Sequence, residues 1–329
     1  MGHGLIGALS ARHADDGVAV VAIDLRELDA AQRALCRETF VGDICDAALL
    51  DRLASTYEIT EIHHLAALLS TRAEAVPEKA NAVNVTGTLN LLSLAADEAR
   101  RNGRSVRFMF PSSIAAYGLP DLGTKNAAPP VHEDEYPEPI TMYGCNKLYG
   151  EHLGRYYAMH YRQLAENRTD RPIDFRAIRF PGIISSDTVP TGGTSDYAPE
   201  MIHAAAAGRP YACFVRPDSR IPFTTMPEAI GAMLALATAD ESRLTRRVYN
   251  IASFSPSAEE IAALVAEHFP GAVTTFEPTL ARQRIVDSWP AEVDDSAARR
   301  DWSFQPEHTL RSAFEAYLVP RIAARYERG

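Results

Sequence analysis

Cysteine is scarce in this chain. There are four in 329 residues (Cys36, Cys45, Cys145 and Cys213), and no two form a C-x-x-C pair. That excludes a disulfide-stapled scaffold and a cysteine zinc site, and it suits a reducing compartment. Positive charge is also short: 33 Lys and Arg stand against 43 Asp and Glu, for a net charge of −10. A nucleic-acid partner is therefore excluded, because phosphate binding needs clustered cations. Long apolar runs are missing. The stretch from Ala229 to Ala239 is too short to span a bilayer, and no signal-peptide pattern opens the chain. The expectation is a soluble cytoplasmic protein without a membrane partner. Internal repeats and low-complexity tracts are absent as well.

What is present is a large apolar fraction, 46% of residues, arranged as short runs alternating with helical patterns. Val18–Leu25, Ile62–Leu68, Val106–Pro111 and Ile173–Phe180 read as buried strands. Pro77 stands at a first helical turn, and the pattern from it runs to Arg101 before Gly103. A second helix is expected over 141–164, followed by a polar loop at 165–171. Strands alternating with helices predict an α/β fold with a doubly wound parallel sheet of Rossmann type. After Pro181 loops rich in Gly, Pro and Thr separate shorter elements. Residues 1–180 are thus expected to form a dinucleotide-binding domain. Residues 181–329 are expected to form a smaller α/β lobe that completes a substrate pocket, with some segments returning to the first domain.

Three local patterns carry chemistry. Gly2-His3-Gly4-Leu5-Ile6-Gly7 matches G-x-G-x-x-G, with an acid at Asp24. Such glycines let backbone approach a pyrophosphate at a helix N-terminus. The motif should follow a strand, yet only Met1 precedes it, so the first strand is expected to be absent, and a flexible glycine-rich tail is the bland alternative. Tyr143 and Lys147 form Y-x-x-x-K, which on a helix places both side chains on one face. A cation beside a phenol favours the phenolate, which can then take a proton from an alcohol while the carbon-bound hydrogen leaves as hydride. The alternative is an ordinary exposed i, i+4 pair. Finally, Val106–Pro111 ends in Ser112-Ser113, and a hydroxyl at a strand's carboxyl end sits where open α/β sheets bind ligands. The alternative for Ser113 is a helix cap or turn. Adjacent His63 and His64 on a strand point to opposite faces, and no other histidine has ligand spacing, so no metal is expected.

The order strand-Ser, loop, Tyr-x-x-x-Lys, strand, Pro-Gly resembles the extended branch of the short-chain dehydrogenase/reductase superfamily over nearly the whole chain. The resemblance implies Ser113, Tyr143 and Lys147 as the catalytic trio. It implies NAD as cofactor, held by Gly4, Leu5 and Ile6, by Asp24 on the adenosine ribose with Arg26 beside it, and by Asp43 and Ile44 at the adenine. Leu65, Ala66, Ala67 and Asn84 would line the pyrophosphate and nicotinamide side, Pro181 and Ile183 the nicotinamide, and Tyr143 and Lys147 would also touch the cofactor. The branch usually has G-x-x-G-x-x-G, and Met1 stands where its first glycine would be. Within the branch, HHLAALLSTRAE, DFRAIRFPGIIS, PTGGTSDYAPEM and DSWPAEVDDSAARRDW resemble short-chain-type L-threonine 3-dehydrogenases. That likeness implies oxidation of the threonine 3-hydroxyl to 2-amino-3-oxobutyrate in a pocket of Ser70, Ser112, Ser113, Tyr143, Gly193, Thr194, Ser195 and Trp289. For Gly193 the alternative is a plain turn, and for Trp289 a core aromatic. Arg179 is expected either to reach the substrate carboxylate or to form an internal ion pair. A nucleotide-sugar 4-epimerase or dehydratase is the first rival, and an NAD-binding regulator without catalysis the second. The resemblance also implies a homodimer through helices 77–101 and 141–164.

Overall fold

The computed structural model describes residues 1–166 and 168–327, so one residue of the expected loop at 165–171, Asn167, lies outside the described residues. The strands are β1 (Val21–Asp24), β2 (Glu38–Val41), β3 (Glu61–His63), β4 (Val106–Ser113), β5 (Ile173–Phe180), β6 (Gly182–Ile184), β7 (Tyr211–Cys213), β8 (Phe223–Thr225), β9 (Val248–Asn250) and β10 (Thr274–Phe276). The central sheet has the order β3-β4-β5-β9 and is parallel throughout. β9, from late in the chain, closes its edge.

Both faces of this sheet are buried, as a parallel sheet requires. Phe108 and Phe110 of β4 join Phe175 and Ala177 of β5 in one apolar cluster, while Met109, Ile178 and Phe180 alternate into another. Phe108 and Phe175 are fully enclosed, each contributing about 1.5–3 kcal/mol of transfer free energy. The first cluster is covered by α3 (Ala47–Thr56), α6 (Gly87–Asn102) and α8 (Met142–Met159), and the second by α1 (Gly2–Arg12) and α10 (Met226–Thr238). The remaining helices of the first half are α2 (Ala30–Ala34), α4 (Ser70–Ala75), α5 (Pro77–Asn81) and α7 (Leu122–Ala127), and α9 (Tyr197–Ala206) precedes α10. A third cluster, around Tyr197, Phe223, Ile261 and Phe314, fills the region served by the parallel pairs β6-β8 and β7-β10.

Local signals set the helix ends. Pro77 opens α5, Gly103 ends α6 in the left-handed conformation (φ 68°), and Thr141 caps α8 by accepting from Gly144 N at 3.0 Å. The helix expected from Pro77 is interrupted by a π-helical turn over Ala82–Thr86. The wider turn carries Asn84, whose amide both accepts from Leu68 N (2.8 Å) and donates to Leu68 O (3.0 Å). The expected strand 62–68 is only three residues long: His64 N still donates to Met109 O of β4 at 3.0 Å, and at Leu68 the backbone is satisfied by the Asn84 side chain instead of a ladder. The helix expected to reach residue 164 ends at Met159.

β1 and β2 form a two-stranded parallel sheet of their own, apart from the central four strands. Among the described residues no strand pairs with the free edge of β1 or of β3, although Ile23 and Ile62 pack on the same apolar cluster. The glycine-rich segment, expected as a loop, is helical from Gly2 onward. There Gly4 serves close helix packing, since a Cβ on it would lie 2.4 Å from Ile230 Cδ1 of α10.

Candidate active site

The carboxyl end of β4 and the first turns of α8 meet because glycine lets them. A Cβ on Gly144 would sit 2.0 Å from Ala115 O, just past β4, and one on Gly150 2.5 Å from the Phe110 ring of β4, so α8 lies unusually close to the sheet, and Lys147 on the face between is 5% exposed. Ser113 ends β4. Its Oγ accepts from Ala115 N at 3.1 Å, the capping role, and lies close enough to the Tyr143 hydroxyl to favour its ionised form. Lys147 Nζ lies 5.6 Å from the Tyr143 ring centre and donates to Pro111 O at 2.6 Å. The three groups proposed from the sequence therefore converge at one strand end.

Burial pushes the Tyr143 phenol above its ordinary value, and the nearby Ser113 hydroxyl offsets part of that rise. Burial pulls Lys147 down to about 8, against the opposing charge of Glu151. A serine, a tyrosine and a buried lysine in this order can bind an alcohol between two hydroxyls and accept its proton.

The segments assigned to a dinucleotide surround the same sheet end. The first helical bond of α1 is Leu5 N to Met1 O, and α1 has no side-chain cap, so the N–H groups of Gly2, His3 and Gly4 point outward without intrahelical partners. Such a terminus suits a pyrophosphate. Ile6 lies within α1, and Leu65 packs 3.9 Å from where a Gly2 Cβ would be. Asp24 is exposed at the carboxyl end of β1 and accepts from Arg26 N at 2.9 Å; Asp43 is exposed and accepts from Cys45 N, with Ile44 buried behind it. Ala66 and Ala67 follow in the loop after β3, and Asn84 tethers its end. Pro181 is buried between β5 and β6, and Ile183 is half-buried on β6. An open helix N-terminus and an exposed carboxylate at the end of β1 fit NAD.

On the substrate side Ser70 Oγ, at the start of α4, accepts from Thr194 N at 3.5 Å, joining two segments 124 residues apart. Gly193 N donates to Asp196 Oδ2 at 2.7 Å, Ser195 Cβ approaches Gly182, and the buried Thr194 Oγ1 has no partner among the described residues. Trp289 is 4% exposed in the apolar cluster against which Tyr143 also packs. Ser112 faces the other way: the strand alternation that aims Ser113 at Tyr143 aims Ser112 at Glu151 (2.5 Å), inside the protein. Its expected substrate contact is not what the geometry provides. Arg179 forms the internal ion pair, bidentate to Glu151 at 2.7 and 2.8 Å. The sequence reading passed over Glu151 and Asp196; the spacing of Glu151, one turn after Lys147, was the available signal for the first. Among the described residues no group of three or more His, Cys, Asp or Glu could hold a metal.

These parts define an α/β oxidoreductase-type site, with a nucleotide cradle from α1 and the ends of β1 and β2, and a Ser-Tyr-Lys trio at the end of β4 in the central parallel sheet. The model of the NAD dependent epimerase/dehydratase family matches residues 2–252, and the chain belongs to that family. Its cofactor is NAD. A mitochondrial L-threonine 3-dehydrogenase from Bos taurus is 36% identical over 269 residues, 82% of this chain. The match spans 66% of the bovine protein's length, just under two thirds. The solved L-threonine dehydrogenase of Clostridium difficile is 29% identical with a TM-score of 0.84, covering 99% of this chain and 95% of that one. The GalE-like L-threonine dehydrogenase of Cupriavidus necator, in its holo form, is 33% identical with a TM-score of 0.80, covering 99% and 96%.

Proposed function

We propose that this chain oxidises the 3-hydroxyl of L-threonine with NAD, giving 2-amino-3-oxobutyrate. The observation that carries the reading is the convergence of Ser113, Tyr143 and Lys147 beside the Ser70–Thr194 contact. Similarity to proteins named L-threonine 3-dehydrogenases along nearly the full chain supports the substrate.

Bound NAD supplies the hydride acceptor. Gly2–Gly4, Asp24 and Asp43 would hold it. Ser113 donates to or accepts from the substrate hydroxyl and fixes its direction. Tyr143 Oη takes the hydroxyl proton, and the Lys147 ammonium favours the phenolate that must form. The hydroxyls of Ser70, Thr194 and Ser195 offer hydrogen bonds to the amino-acid carboxylate and ammonium, with Thr194 Oγ1 unpartnered among the described residues, and Trp289 backs the pocket. Ser112 and Arg179 act from behind the site.

The test is spectrophotometric: L-threonine and a panel of 3-hydroxy amino acids with NAD and with NADP. Net NADH with threonine excludes the epimerase rival, which ends with its cofactor unchanged. NAD binding without turnover of any substrate would support the regulator. Tyr143→Phe should lower turnover at least about 10²-fold with NAD affinity nearly intact; wild-type activity in that variant overturns the mechanism.

The reading extends to a homodimer through α5–α6 and α8, whose exposed Leu89, Tyr149, Tyr156 and Met159 offer an apolar face. It also places the protein in the cytoplasm, in keeping with four free cysteines and no described helix long and apolar enough to cross a membrane.

A further inference from the structure

Glu151 is buried to 3% exposure one turn after Lys147 on α8, and no step above uses it. Its oxygens are fully engaged. Oε1 accepts from Ser112 Oγ (2.5 Å) and Arg179 Nε (2.8 Å), and Oε2 from Arg179 Nη2 (2.7 Å). Arg179 is itself locked: Nη1 donates to Glu133 O at 2.8 Å, and the guanidinium lies 4.5 Å from the Tyr117 ring centre. The carboxylate can neither rotate nor reach water. Three charge-assisted contacts for one enclosed side chain exceed what anchoring a helix requires.

On its other side lies Lys147, whose Nζ donates to the carbonyl of Pro111, the residue before Ser112. Other titratable and charged groups packed around α8 are either neutral or engaged elsewhere. Tyr143 shares the helix. His64, after β3, is buried, held by Thr88 at 2.8 Å and kept neutral, and Tyr117 donates to Asn250. Arg179 of β5 is a second cation. Glu133 contacts Arg246 and Asn250 N. Glu74 of α4 accepts from Met142 N; Glu78 and Lys79 of α5 are exposed; Asp97 and Glu98 of α6 pair with Arg100 and Arg101. Glu151 is thus the buried carboxylate set against Lys147, and its charge is the one that counters the loss of solvation there.

We propose that Glu151 is a positioning residue for the catalytic base: clamped by Arg179 and Ser112, its fixed charge keeps Lys147 an ammonium beside Tyr143 across the working pH range. This rests on the reading of Tyr143 as base, but its test does not need the substrate to be threonine. The chain has only three lysines, Lys79, Lys125 and Lys147, so ¹³Cε-lysine labelling of the full-length protein gives three resolvable titrations. The variant is Glu151→Gln with Arg179→Met, which removes both partners and strands neither charge. Its Lys147 titration is expected to fall by about one pH unit or more. The alkaline limb of kcat/KM should move down by the same amount, while KM for NAD stays within a factor of about three. Glu151→Asp, which keeps the ion pair, should restore most of the wild-type titration. If the double variant fails to fold, Glu151→Gln alone, which removes the charge and keeps an acceptor for Ser112 and Arg179, gives the same reading. A Lys147 titration and pH profile unchanged when Glu151 loses its charge, with only a lower melting temperature or a uniformly lower kcat, would make Glu151 purely structural. Absence of threonine turnover in the wild type would sink the substrate reading while leaving the lysine titration decisive.

Discussion

Gly144→Ala tests the geometry on which the site depends. Gly144 follows Tyr143 directly, and a Cβ there would lie 2.0 Å from Ala115 O and 2.8 Å from Pro139 Cβ. Ordinary contact begins near 3.4 Å. The obstacle is backbone, within the turn that starts at Ser113, so no rotamer relieves it. The start of α8 must retreat by about 1 Å, and overpacking of this kind costs about 1–3 kcal/mol. The retreat carries the Tyr143 hydroxyl away from Ser113. A misplacement of about 1 Å at a reacting centre can cost about 10²-fold in rate. Steady-state oxidation with NAD should therefore show kcat down about 10²-fold, with a folded protein by circular dichroism and a melting temperature lower by several degrees. Gly231→Ala is the control. Gly231 is exposed within α10 with open space around its missing Cβ, so alanine there should add about 0.5–1 kcal/mol of stability and leave kcat unchanged. Wild-type kcat in Gly144→Ala, at an unchanged melting temperature, would refute the claim that this close approach positions the base.

Further expectations follow from single side chains. Lys125 is 3% exposed, donates to Val286 O at 2.8 Å, and burial lowers its pKa from 10.5 to about 8. The unfolded chain holds this proton up to about pH 10.5 while the folded one releases it near 8, so stability rises across that window by roughly 3 kcal/mol. Lys125→Met should lack this rise in denaturant titrations between pH 7 and 10.5; a difference from wild type that does not change with pH would disprove it. Asp24→Ser should increase kcat/KM with NADP relative to NAD at least tenfold, because the exposed carboxylate that repels a 2′-phosphate is gone; an unchanged ratio would remove Asp24 from the ribose site. Tyr149→Glu with Tyr156→Glu places charge on the outer face of α8 and should halve the mass in light scattering, whereas a wild-type monomer would dispose of the dimer.

Much of this molecule was legible in one dimension because its signals are local. The apolar runs of Val106–Pro111 and Ile173–Phe180 marked strands buried on both faces, and β4 runs two residues further, to Ser113. Pro77, Thr141 and Gly103 marked helix ends through hydrogen-bonding rules that act within four residues. The Tyr143–Lys147 pair needed only helical periodicity. The π-helical turn at Ala82–Thr86, the shortness of β3 and the helical state of Gly2–Gly7 were hidden, because each is decided by a distant partner: Leu68 for Asn84, Ile230 for Gly4.

The sequence by itself determined which residue types could do proton chemistry and which short segments would be strand or helix, since those depend on covalent spacing and backbone propensity. Only the tertiary structure decided how those residues are used. It turned Ser113 to Tyr143 and Ser112 to Glu151, engaged Arg179 inside the protein, and drew Ser70 to Thr194 across 124 residues. The reason is burial: once α8 packs against the sheet, each polar group must find its partner there, and that partner is set by packing in space, not by order along the chain.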